Sequence, residues 1–394
     1  MEANAPQVVI VGGGGTGGAL AHDLALRGIR VILVERHGLT SGTTGRHHGL
    51  LHSGARYAVN DAESAVECIR ENAILRRIAP GSFEENDGLF VALDDADMAY
   101  RERFLPACDA AGIPVRWLSP AEALRCEPGL DPTLLGAAQV PDATMDALRL
   151  PLRFFATALA NGADIRPYTE VTGMTGPAGC VTGVRVTDRA TGRAYAIGAD
   201  VVVNAAGPWG GVIGRMAGVD VPVRPSPGVL VAMRGRACNM VLSRLHPSAD
   251  GDIVVPQRGL SIIGTSSWLA VDPDDLDVPE DHVARMLTEG SRLLPALAGG
   301  EIRAAWSAAR PLIGDRGASS GRELSRTFRC FDHAADEGVE GIVTISGGKA
   351  TTLRGMAETT ADVVVHKLGL DAACRTADVV LLPHTAFHRT LAAA

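Results

Sequence analysis

The stretch QVVIVGGGGTGGALAHDLALRGIRVILVE, residues 7–35, decides the fold. Its first five residues are a short β-branched run, the middle places apolar residues at helical spacing, and RVILVE returns to an extended apolar run. Strand, helix and strand within about 30 residues make a βαβ unit. In the first turn Gly12, Gly14 and Gly17 fill a GxGxxG pattern. The first glycine allows a sharp turn, the second lets backbone approach a pyrophosphate, and the third packs the helix closely on the strand. The phosphates then sit at the helix N-terminus, beside Gly15 and Thr16. Glu35 ends the second strand about 20 residues later, where a carboxylate accepts hydrogen bonds from ribose hydroxyls. An acid at that position disfavours a 2′-phosphate, so the dinucleotide is FAD or NAD.

The residues after Glu35 bear on that choice. An NAD dehydrogenase proceeds directly into further alternating strands and helices, whereas this chain enters HGLTSGTTGRHHGLLHSG, residues 37–54. Ser41, Gly42, Thr43, Thr44 and Gly45 are small enough for close backbone approach, and their hydroxyls and N–H groups suit phosphate and flavin ring oxygens. The same region continues into HHGLLHSGARYA, which sets His47, His48, His52 and Arg56 within ten residues. No carboxylate or thiol set lies beside these histidines, so no metal site is expected.

Composition narrows the remainder. A chain of 394 residues exceeds the usual single core, and two domains around a shared cleft are expected. With 46% hydrophobic and 21% charged residues it is an ordinary globular protein, and a net charge of -8 excludes a nucleic-acid surface. Seven scattered cysteines without CxxC spacing fit a reduced, cytoplasmic protein with no disulfide frame. No apolar run reaches the roughly 18 residues of a membrane span; peripheral contact with the inner membrane stays open. Further on, residues 61–79 are helix-like, the runs 88–93 and 135–140 are strand-like, and ADVVVNAAG, 199–207, reads as a buried strand of the nucleotide domain. From 221 to 314 short strand-like runs alternate with prolines and glycines, and GIVTISGG, 341–348, returns as a strand feeding a helix. GGK at that junction sets glycine N–H groups where a flavin pyrimidine oxygen or a pyrophosphate can be held.

The run from Glu35 to Pro80, ERHGLTSGTTGRHHGLLHSGARYAVNDAESAVECIRENAILRRIAP, resembles the FAD-dependent glycerol-3-phosphate dehydrogenases, most of all the A subunit of the anaerobic enzyme. NDGLFVAL at 86–93, VVVNAAGPWG at 201–210, LSIIGTSS at 260–267, AARPLIG at 308–314 and SGGKATTLRGMAE at 346–358 extend the resemblance over about residues 7–380. It implies the α/β flavin fold of glycine oxidase and D-amino-acid oxidase. A discontinuous Rossmann-like FAD domain, residues 1–82, 147–216 and 320–376, is expected with a substrate domain, 83–146 and 217–319, carrying a mixed antiparallel sheet and helices. Residues 377–394 are expected as a C-terminal tail. Non-covalent FAD is expected at Gly12, Gly14, Gly15, Thr16, Gly17, Glu35, Arg36, Thr43, Thr44, Gly49, Leu50, Leu51, Val171, Ala206, Gly207, Gly347, Gly348, Lys349, Ala350 and Thr351.

The resemblance also implies three cations at the substrate: Arg56, Arg310 and Lys349, with Tyr57 adding a hydroxyl. Arginine's planar fork suits phosphate or carboxylate, and lysine supplies a point charge near the reacting hydroxyl. Oxidation of an alcohol by flavin transfers a hydride to N5 and gives the hydroxyl proton to a base, for which His52, His48 and Lys349 are the candidates. His47 and His22 are read as structural and His246 as a weaker substrate contact. Leu353 stands where the family usually has tyrosine, and His47 where the anaerobic subunit tends to have asparagine; both bear on the shape of the pocket. The expected reaction is sn-glycerol 3-phosphate to dihydroxyacetone phosphate. A 2-hydroxy acid or an amino acid is the alternative substrate, and a non-catalytic FAD-binding subunit is the distant alternative. The cysteine-rich iron-sulfur domain of the anaerobic subunit is not among these residues. The expected electron acceptor is therefore oxygen, a quinone, a soluble carrier or a partner subunit.

Overall fold

The computed structural model describes residues 5–314 and 324–391. The βαβ unit forms as read: strand Gln7–Val11, helix Gly15–Leu26 and strand Arg30–Val34, with the strands parallel and in register from Gln7↔Arg30 to Val11↔Val34. They lie at the centre of a six-stranded sheet ordered Phe328–Asp332, Ile342–Gly347, Val201–Asn204, Gln7–Val11, Arg30–Val34, Asp164–Arg166. All its pairs are parallel except the edge pair Phe328–Asp332 with Ile342–Gly347. Parallel strands covered on both faces need apolar residues at successive positions, which is why VVIV and VVV are unbroken runs. Val8, Ile10, Val201 and Val203 pack toward the helices Gly15–Leu26, Arg149–Ala160 and Leu353–Lys367, while Val9, Val11 and Val202 pack toward a three-stranded antiparallel sheet, residues 169–198. Leu381 and Phe387 join the helical side of this core, so the segment expected as a tail is packed against it.

The second large sheet has eight strands, ordered Ile302–Ile313, Val223–Arg234, Leu260–Gly264, Ile253–Gln257, Val241–Arg244, Gly88–Ala92, Gly136–Val140, Arg116–Leu118. It is mixed, antiparallel but for Val241–Arg244 with Gly88–Ala92. The expectation of short runs between 221 and 314 fails at its edge, where two twelve-residue strands pair from Val223↔Ile313 to Met233↔Ile302. Prolines 225, 227 and 311 made this stretch read as interrupted. Pro225 and Pro227 are tolerated because Leu260–Gly264 reaches only residues 230–234, leaving the proline half of the strand outside that ladder, and Pro311 lies on the edge strand. There the carbonyls of Pro225 and Pro227 accept Ala270 and Trp268 N–H instead.

The expected domain junction at 319/320 lies outside the described residues. Among the described residues no helix is long and apolar enough to cross a membrane.

Candidate functional site

A cavity of about 1050 Å³ opens where the carboxyl ends of Gln7–Val11, Arg30–Val34, Val201–Asn204 and Ile342–Gly347 face the eight-stranded sheet. Crevices outside strand carboxyl ends are where open α/β sheets bind ligands. Its two ends are built differently.

One end is backbone. Residues 12–16 all line it, and the Gly15–Leu26 helix starts there with no side-chain cap at Gly14. Gly12 has φ +116°, and a Cβ on it would stand 2.6 Å from the Ala205 carbonyl oxygen. That position therefore admits only glycine. The Glu35 carboxylate accepts Gly13 N–H at 2.7 Å and His37 N–H at 2.9 Å, and Thr44 Oγ1 accepts Gly15 N–H at 3.0 Å. Thr43 Oγ1 donates to the Ala309 carbonyl at 2.6 Å, tying the threonine loop to the eight-stranded sheet. Arg36 lies over the Trp209 ring, 4.5 Å from its centre, and pairs with Asp274 at 3.0 Å. Leu50, Val171, Ala206, Gly207, Gly347, Gly348, Lys349 and Ala350 complete the expected lining.

A glycine cradle with no room for a Cβ, a helix N-terminus whose own N-cap residue, Gly14, offers no side chain, and an acid at the ribose position fit a dinucleotide. The remaining length of the cavity, extending past the threonine loop to the eight-stranded sheet, fits the flavin half of FAD.

The other end is side chains. The turn carrying His52 to Tyr57 is pinned from behind: Ser53 N–H donates to the buried Asp142 carboxylate at 2.6 Å, and Asn72 Nδ2 donates to the His52 carbonyl at 3.1 Å. Burial pushes the Asp142 carboxyl up to about 6. Gly54, with φ +98°, lets the turn reverse. Arg56, 11% exposed, gives Nη2 to both oxygens of Asp252 at 2.6 and 2.9 Å. Burial opposes its charge, and the Asp252 carboxylate more than offsets this, holding the guanidinium above its ordinary range. Arg310 Nη1 donates to the Ser226 carbonyl at 3.1 Å, while Nη2 meets the Ser266 carbonyl at 3.0 Å and Thr265 Oγ1. Lys349 Nζ donates to the Arg326 carbonyl at 2.7 Å, lies 3.5 Å from Glu67, and sits over the Tyr57 ring at 5.1 Å. Burial raises the Tyr57 phenol to about 12, so it remains a neutral donor.

The three histidines separate here. His47 Nδ1 accepts Gly49 N–H at 2.9 Å and His48 Nδ1 accepts Leu50 N–H at 3.2 Å. Both cap the turn, and with Nδ1 occupied as an acceptor each carries its proton on Nε2. The His52 ring, 5.3 Å from that of Tyr57, has no hydrogen-bond partner among the described residues. Burial depresses all three: His47 to about 4, His48 to about 3 with help from His47 and Arg310, and His52 well below 6.5 with help from His48, Arg56 and Lys349.

Four expected cofactor positions lie behind the wall. Gly17 packs the first helix against Gly12, and Leu51 is core. Thr351 accepts the His52 N–H at 3.0 Å, and Gln257 Nε2 crowds Gly49 as it reaches the His48 and Met145 carbonyls. His246 is 3.7 Å from Asp252 and outside the cavity lining; His22 is core, beside Phe154. The sequence reading missed Asp252, Glu67, Arg326, Asp142 and Gly228, which no local pattern marks.

The FAD dependent oxidoreductase (DAO) family matches residues 7–363. The chain is 45% identical over 383 residues to the A subunit of the anaerobic glycerol-3-phosphate dehydrogenase of Escherichia coli, covering 96% of this chain and 70% of that protein. Among solved structures, the glycerol-3-phosphate dehydrogenase of Bacillus halodurans complexed with FAD superposes with TM-score 0.75 at 26% identity, over 100% of this chain and 72% of that one. Glycine oxidase from Bacillus cereus shares the fold, with TM-score 0.72 at 22% identity over 92% and 95%. The chain belongs to the FAD-dependent oxidoreductase family, and within it to the anaerobic glycerol-3-phosphate dehydrogenase A subunits.

Proposed function

We propose that this protein oxidises the secondary alcohol of sn-glycerol 3-phosphate to dihydroxyacetone phosphate. The observation that carries the reading is one cavity holding a dinucleotide cradle at one end and lined at the other by Arg56, Arg310, Lys349 and His52, whose ring is unengaged among the described residues. Bound FAD supplies the two-electron acceptor. Arg310, Arg56 and Lys349 hold the phosphate, and planar guanidinium groups favour its paired oxygens. His52 takes the hydroxyl proton: burial keeps its ring neutral, hence able to accept, and the pinned turn keeps it in place. Lys349, held by a carbonyl and a carboxylate, acts as a fixed charge and not as the base.

The division into an FAD domain (1–82, 147–216, 320–376) and a substrate domain (83–146, 217–319) fits the two large sheets, whose strands fall on either side of it. The relatives are named as one subunit of their enzyme, which supports electron transfer from the flavin to a partner subunit.

The test is anaerobic mixing of the FAD-loaded protein with glycerol 3-phosphate, 2-hydroxyglutarate, lactate and a panel of amino acids. Bleaching of the flavin band by the phosphate ester supports the reading. Bleaching by the acids alone transfers the site to a carboxylate substrate.

A further inference from the structure

Arg310 rests on a seat built from three places in the chain. Its strand, Ile302–Ile313, pairs with Val223–Arg234 so that Arg310 is opposite Ser226 and Ala308 opposite Gly228. The guanidinium therefore lies back along the neighbouring strand, over Gly228. A Cβ built on Gly228 would stand 2.5 Å from Arg310 Nη2 and 2.9 Å from Nη1, and would collide with the Ser266 carbonyl oxygen. The head is clamped in this position by the Ser226 carbonyl, the Ser266 carbonyl and the Thr265 hydroxyl. Gly228, Thr265 and Arg310 all line the cavity.

We propose that this seat, with Gly228 as its floor and Thr265 and Ser266 as its clamp, sets the depth at which Arg310 meets the anionic end of the substrate. The inference rests on the functional reading above for the identity of that anion. Gly228 and Thr265 are positioning residues that act through Arg310. Any side chain at 228 lifts the guanidinium off the strand and into the cavity, into space the anion needs. A displacement of about 1 Å in a positioning group is enough for a rate loss of about a hundredfold. A methyl at 228 also meets the Ser266 carbonyl oxygen, so part of the damage falls on the backbone beside Thr265, on the same seat that holds the guanidinium.

The experiment compares Gly228→Ala, Arg310→Lys and the double variant as FAD-loaded full chains. Gly228→Ala should lower kcat/KM for glycerol 3-phosphate by about a hundredfold while FAD content stays at the wild-type level. In the Arg310→Lys background the same alanine should cost at least about tenfold less than it does in the wild type, because the clash with the guanidinium is gone and only that with the Ser266 carbonyl remains. A Gly228→Ala enzyme within twofold of wild type, or losses that multiply in the double variant, would overturn the proposal. If Gly228→Ala cannot hold FAD, Thr265→Val decides. A severalfold rise in KM with unchanged flavin supports the seat, and an unchanged KM overturns it. If wild-type flavin is bleached only by 2-hydroxyglutarate, the substrate reading fails and the same cycle run on that acid tests the seat by itself.

Discussion

The two ends of the cavity are made of different material. The cofactor end is backbone and glycine, and its glycine loop is held from within the first 44 residues: Gly13 by Glu35 and Gly15 by Thr44. The substrate end is charge, and each charge is balanced or seated from far away. Arg56 meets Asp252 across 196 positions, Lys349 meets Glu67 across 282, and Arg310 rests on residues 226, 265 and 266. A backbone site tolerates almost no added atom, whereas a charged site tolerates change of shape better than loss of a partner.

The largest expected effect breaks the first end. Gly12→Val forces a branched side chain onto a backbone with φ +116° and against the Ala205 carbonyl. Purified protein should be colourless, with no flavin absorbance after reconstitution; a yellow variant would mean that the cradle is not where FAD binds.

Next is the base. His52→Gln should lower the rate of flavin reduction by about 10²–10⁴-fold while substrate affinity stays near wild type. The pH dependence carries a sign. Burial, followed by the charges of His48, Arg56 and Lys349, depresses His52 well below 6.5, so its neutral form persists as pH falls. Wild-type reduction should therefore hold its rate from pH 8 to below pH 6, and an acid limb centred near 6.5 would contradict the assignment.

Third, removing a carboxylate behind a cation should cost stability according to burial. Asp252 is 1% exposed and Glu67 19%. Asp252→Asn leaves a buried guanidinium underneutralised and should lower unfolding stability by about 3 kcal/mol. Glu67→Gln should cost clearly less, and equal losses in a denaturant titration would remove the distinction.

The smallest effect lies in the core and appears only in acid. His22 is fully buried with neither ring nitrogen partnered, and burial depresses it to about 4. The unfolded chain takes up this proton below 6.5 and the folded chain does not, so stability is full above 6.5 and falls as pH drops toward 4. His22→Leu should flatten that slope by roughly 2 kcal/mol across the window, and an unchanged slope in thermal melts would refute it.

Much of the first end was legible because glycine spacing, a β-branched run and a terminal acid are local consequences of local geometry. Gly12, Gly14, Thr44 and Glu35 could be named before the fold was known. At the second end the resemblance supplied Arg56, Arg310 and Lys349, and composition alone could not have distinguished them from surface cations. Their partners stayed hidden because nothing in the stretch around Asp252 or Gly228 shows what will be packed opposite. The histidines needed geometry too: with His47 already read as structural, His48 and His52 stand as equal candidates until the Leu50 N–H engages the His48 ring. Prolines misled at 221–314, since their missing donors fall where the neighbouring strand does not reach.

If the two ends are separable parts of one site, substrate reduction can be lost while the cofactor stays. The most direct measurement is stopped-flow reduction of FAD-loaded Arg310→Ala by glycerol 3-phosphate without oxygen, with flavin content read from the same spectrum. Wild-type flavin content is expected, together with a reduction rate at least about a hundredfold lower. Flavin lost together with activity, or reduction at the wild-type rate, would contradict the separation.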